Sequence, residues 1–174
     1  PINVNVTSDV IHSMIYKTRP DVGAIVHHHT TAVTAVSAMT GGLQFVTQDS
    51  AAFYGRVCYH PWEGVSDDHS ECERIAEAVA GGAHTVMLRN HGALTLGASV
   101  AEAWVRYYYL DRVCAVQCAV AGRSVTRPDP AVLEHAAFEL QFHDEIADAM
   151  VSKTLLAPTH AKIVPGVMCR AGKG

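Results

Sequence analysis

Arg19-Pro20-Asp21-Val22-Gly23-Ala24-Ile25-Val26-His27-His28-His29-Thr30 is the stretch on which the reading of this chain turns. Pro20-Asp21 marks a turn, and the apolar, β-branched run after it predicts a strand over 23–29. Side chains alternate along a strand, so His27 and His29 share one face and His28 faces the other way. At ~3.3 Å of rise per residue their Cα atoms stand roughly 6.5–7 Å apart. Two imidazoles at that separation can lean onto one metal ion at about 2.0–2.1 Å each.

Working outward, Thr7 to Arg19 reads as a helix with an apolar stripe of Val10, Ile11, Met14 and Ile15, stopped by Pro20. Thr30 caps a second helix through about Met39, ended by Gly41-Gly42. Leu43 to Val46 reads as a short strand, Arg56 to His60 as another, and Trp62 to Asp68 as a loop. Asp67 or Asp68 then caps a helix through Val79 with Ile75, Ala76 and Val79 on one face. His84 to Arg89 is a buried strand, Asn90-His91-Gly92 a tight turn for which Gly92 supplies the bend, and Ala93 to Gly97 a returning strand. Ser99-Val100-Ala101-Glu102 forms a capping box for a helix to about Ala121. One last helix is expected over Ala131 to Ser152, and a tail of little pattern follows. Strands joined by tight turns and interleaved with helices point to a mixed or antiparallel sheet with helices packed on it.

A third ligand must come from elsewhere, and His91, in a turn between two apolar strands, is the best placed. The remaining histidines read as packing or surface residues, His12 among them, on the first helix. No Gly-x-Ser-x-Gly elbow, phosphate loop or dinucleotide glycine run is present. Five cysteines without a close pairing pattern (Cys58, Cys72, Cys114, Cys118, Cys169) read as reduced thiols in a cytoplasmic protein.

The chain is 174 residues long, which suits a single domain over 1–174. Pro1 is not an initiator Met, and we read the numbered chain as one lacking the N-terminal part of its domain. Apolar residues make up 49% and charged residues 17%, too apolar for disorder and sparse enough in charge to suggest surface covered by other subunits. A net charge of −4 without a basic run argues against nucleic acid or an anionic membrane as partner. The apolar stretches fall far short of the ~20 residues that span a bilayer.

Arg19-Pro20-Asp21-Val22 followed by Ala24 to Thr30, and later Met87-Leu88-Arg89-Asn90-His91-Gly92 with Leu96-Gly97 and Glu102-Ala103, resemble the two motifs of the class II aldolase/adducin family, in its adducin-like bacterial branch. The resemblance runs from about Thr7 to Gly122. It implies an α/β fold: a three-layer α/β/α sandwich around a central, largely antiparallel sheet. It implies a divalent metal on His27, His29 and His91, zinc first and Mn, Fe or Co as alternatives, and a homo-oligomer, tetramer or dimer, with sites between subunits. Family members include sugar-phosphate aldolases, epimerases, decarboxylases and the non-enzymatic adducin heads.

Two departures shape the functional expectation. An ungapped count puts Ser8 where the aldolases carry a catalytic Glu, with Asp9 adjacent but off register. It puts Gln48 where they carry a proton-transferring Tyr. The expectation is therefore a metal-dependent lyase acting on a small hydroxylated carbonyl or carboxylic acid, by decarboxylation or retro-aldol cleavage. A non-catalytic adducin-head-like binding module is the alternative. Tyr54, beside Gly55, is the candidate proton donor and Gln48 an orienting residue that cannot itself titrate. Exposed aromatics between Phe53 and Trp62 are expected at a subunit interface.

Overall fold

The computed structural model describes residues 6–64, 69–140, 144–155 and 168–170. Among the described residues five strands form one sheet: β1 (Ala24–His28), β2 (Val57–His60), β3 (Thr85–Leu88), β4 (Gly92–Gly97) and β5 (Met168–Arg170), in the order β2-β3-β4-β1-β5. Only the β2–β3 pair is parallel; β3–β4, β4–β1 and β1–β5 are antiparallel. β1, β2 and β3 thus run the same way, and their C-terminal ends meet at one edge of the sheet.

Helices cover both faces. On one, Ile11 and Ile15 of α1 (Val6–Thr18) and Ile75 and Val79 of α3 (His69–Ala80) close over Ile25, Val86, Leu88, Leu94 and Leu96. On the other, Val33 and Val36 of α2 (Thr31–Ala38) and Leu110, Val113 and Cys114 of α4 (Val100–Ala119) pack on Met87 and Ala93. These are the three layers expected of the sandwich. Each large aliphatic side chain removed from water contributes about 1.5–3 kcal/mol, so the two clusters hold the layers together without staples. The thiols of Cys58 and Cys114 are pushed up to about 11 and about 12 by burial, which leaves them protonated packing groups.

The Arg-Pro-Asp turn ties α1 to α3. Arg19 pairs with Asp21 through two hydrogen bonds, at 2.7 and 2.8 Å, and donates at 2.9 Å to the carbonyl oxygens of Val79 and Ala83. Val79 lies in the last turn of α3 and Ala83 just beyond it, at the negative end of the helix dipole.

Several expectations change. Leu43 to Val46 is not a strand, because side chains take up the backbone donors there: Leu43 N–H donates to Tyr59 Oη at 2.9 Å and Gln44 N–H to Gln117 Oε1 at 2.8 Å. A 3-10 turn follows over Asp49–Phe53. The single last helix is two, α5 (Pro130–Glu139) against the 3-10 turn and α6 (Asp144–Leu155) against α4. Two different docking surfaces outweigh the continuous helical pattern. The tail supplies β5, a strand with no pattern of its own that is recruited by the open edge of β1. Ser99 accepts from Glu102 N–H at 3.1 Å, but the Glu102 carboxylate accepts from Ala98 N–H rather than from Ser99 and pairs with Arg106. The proposed cap at Asp67 or Asp68 lies outside the described residues. No helix among the described residues is long and apolar enough to cross a membrane.

Candidate metal centre

Three imidazoles meet at the sheet edge where β1 and β3 end. Alternation on β1 carries His27 to the α1 side of the sheet. His29, just beyond the last ladder pair, falls on the same side. Their Nε2 atoms face each other at 2.8 Å. His91 arrives from the β3–β4 turn, closed by His91 N–H donating to the Leu88 carbonyl at 3.1 Å. Asn90 makes the bend at φ 60, a left-handed conformation that Asn tolerates better than most residues. Gly92 does not have a positive φ, so the bend expected of it belongs to Asn90. The His91 ring centroid lies 5.2 Å from that of His27 and 4.7 Å from that of His29.

One nitrogen from each of the three rings lies within 4.8 Å of the others, the only such cluster of His, Cys, Asp or Glu among the described residues. Its chemistry suits a divalent ion: three imidazole nitrogens and no competing acid. Burial, reinforced by the neighbouring imidazoles His29, His91, His12 and His28, pushes His27 down to about 3. Burial, then His29, also lowers His91. Both rings therefore present lone pairs at neutral pH. The cluster can bind a divalent metal, and His29, exposed to solvent, leaves an open side.

His28 turns to the other face, as alternation predicts. It lies against Tyr107 of α4, and both its ring nitrogens are buried without a hydrogen-bond partner. By its sequence position His12 is expected to be a packing residue. It is buried at 2% exposure on α1 and close enough to act electrostatically on His27. Its place on the helix beside Ile11 does not reveal that proximity, since only the docking of α1 on the sheet creates it.

Tyr54 and Gln48 are not brought to the triad within one chain. Gln48 begins and Tyr54 ends the 3-10 turn, which packs on α4 and α5, and the Tyr54 ring stands 5.0 Å from that of Phe45. Tyr54 precedes β2, at the end of the sheet opposite to the histidines. The expected run of exposed aromatics also shrinks: Phe53 is fully buried and Trp62 alone is prominent, 57% exposed. The sidechain of Ser8 and that of Asp9 lie outside what is described.

Residues 3–118 match the Class II Aldolase and Adducin N-terminal domain family. A protein of Caulobacter vibrioides named for aldolase class 2 is 36% identical over 137 residues, 79% of this chain and 52% of the relative. Human beta-adducin is 35% identical over 114 residues, 66% of this chain and 16% of that protein. Among solved structures, an aldolase II superfamily protein from Pseudomonas syringae superimposes with a TM-score of 0.79 at 34% identity, covering 89% of this chain and 64% of that one. L-fuculose 1-phosphate aldolase from Glaciozyma antarctica PI12 does so with 0.72 at 32% identity, covering 87% and 60%. The chain spans about half the length of the bacterial relatives it matches. Superposition and sequence agree: the chain belongs to the class II aldolase and adducin N-terminal domain family.

Proposed function

We propose that the chain is a metal-dependent lyase that breaks a C–C bond of a small hydroxylated carbonyl or carboxylic acid substrate. The observation that carries this reading is the convergence of the His27, His29 and His91 nitrogens at one point of the sheet edge. A divalent ion held there, zinc by preference and otherwise Mn, Fe or Co, supplies Lewis acidity toward a substrate oxygen. The three histidines bind from one side and leave the solvent side to the substrate.

Retro-aldol cleavage needs a base to take a hydroxyl proton at its start. Decarboxylation does not: the C–C electron pair stays on the substrate carbon as carbon dioxide leaves, and a proton is then added. Ser8, at the position of the aldolases' carboxylate by count, favours decarboxylation. Tyr54 is our candidate for that last proton, with Gln48 orienting the substrate, and both would serve the triad of a neighbouring copy in a dimer or tetramer.

A second reading, a binding module like the adducin head, draws support from the adducins, which match as closely in identity as the aldolase-named relatives. Metal analysis of the purified chain, followed by assays with hydroxylated carboxylic acids and aldols, separates the two. About one bound divalent ion per chain and turnover lost in His29→Ala supports the lyase. Bound metal with no turnover on any substrate of either class favours the module. A metal-free protein that takes up none on titration overturns the metal centre.

A further inference from the structure

Gly92 is the first residue of β4, and no positive φ demands glycine there, since Asn90 has already made the turn. What demands glycine is space. Ala93 pairs with His28 across the β1–β4 ladder, so Gly92 falls beside His29 on the face that carries the triad. A Cβ on Gly92 would stand 2.4 Å from the carbonyl oxygen of His28 and 2.6 Å from Cδ2 of His29. Carbon atoms in contact prefer separations of about 3.5–4.0 Å. The His28 carbonyl and the His29 ring together occupy the volume that a side chain at 92 would fill. From that slot Nε2 of His29 reaches to 2.8 Å from Nε2 of His27.

We infer that Gly92 is the positioning residue of the metal centre: the missing side chain is the slot into which the His29 ring swings to join His27 and His91. This rests on the triad being a metal site, as proposed above. A methyl group at 92 presses on the His28 carbonyl and on the His29 ring, and the exposed ring can yield toward solvent.

The test is a cycle of Gly92→Ala, His29→Ala and the double variant in the full chain, with two readouts. Binding of Zn(II) and Co(II), by competition with a chelator, is expected to weaken roughly 10–100-fold in Gly92→Ala, the range for disturbing a group that orients a ligand. The Co(II) absorption bands are expected to shift as well, which a loss of stability alone would not cause. Metal-free urea unfolding is expected to show Gly92→Ala costing less in the His29→Ala background than in the wild type, the mark of direct coupling. Unchanged metal affinity, or an equal stability loss in both backgrounds, overturns the inference, because the methyl then acts on the His28 backbone alone. If Gly92→Ala fails to fold, a folded double variant supports the inference and an unfolded one overturns it. If the wild type binds neither ion, the metal-centre reading falls and the unfolding cycle alone decides the role of Gly92.

Discussion

The His28 ring stands 4.5 Å from the Tyr107 ring, centroid to centroid and at 67°, on the opposite side of the sheet from its neighbours His27 and His29. Three consecutive histidines thus divide two to one between the face covered by α1, which carries the triad, and the face covered by α4.

His28→Phe is expected to keep the ring contact with Tyr107 and to remove two buried nitrogens that lack partners. Aromatic pairs of this geometry contribute about 0.5–1.5 kcal/mol beyond burial, so the melting temperature should hold or rise. Metal stoichiometry should equal that of the wild type. Loss of metal from this variant would put His28 in the cluster.

Arg19→Ala removes a guanidinium that joins Asp21 to the carbonyls of Val79 and Ala83. Charge-assisted hydrogen bonds of this kind are worth about 1.5–3 kcal/mol, and the expected loss in urea unfolding is about 2 kcal/mol. Arg19→Lys should recover less than half, because a single ammonium cannot reproduce the planar fork. Full recovery by Lys would reduce the Arg19 interaction to simple charge.

Acid should destabilise the metal-free protein through His84. Burial, with the Arg106 and Arg56 charges nearby, pushes this ring down to about 3, against 6.5 in an unfolded chain. Between those values the unfolded state binds a proton that the native state does not, so stability is full above 6.5 and falls as pH drops toward 3. From pH 7 to pH 4 the loss from this one residue is up to about 3 kcal/mol. His84→Gln should flatten part of the pH dependence of urea unfolding, and an unchanged slope would clear His84 of the effect.

Tyr54→Phe should leave metal content intact and lower turnover by roughly 10²–10⁴-fold, the range for losing general acid help. Tyr54 and the triad sit at opposite ends of one sheet. Mixed oligomers of Tyr54→Phe and His29→Ala chains should therefore regain activity at hybrid sites. No recovery on mixing would remove Tyr54 as a donor across subunits.

Local chemistry made much of this legible in the chain itself. The β-branched run after Pro20-Asp21 reads as a strand, and period-two alternation puts His27 and His29 on one face and His28 on the other. Ile75, Ala76 and Val79 marked the inner face of α3 by helical spacing alone. Longer-range facts were not legible, because they depend on which surfaces meet. β5 has no pattern of its own and exists because β1 has an open edge. Leu43 to Val46 loses its strand because Tyr59 and Gln117, distant in sequence, take its backbone donors. His12 comes near His27 only once α1 docks on the sheet. Gly92 reads as a turn residue, whereas tertiary structure gives the bend to Asn90 and fills the space beside Gly92 with the His28 carbonyl and the His29 ring. Backbone periodicity is set by neighbours a few residues away and can be read from order alone; excluded volume and the satisfaction of backbone donors are set by whatever the folded chain brings alongside.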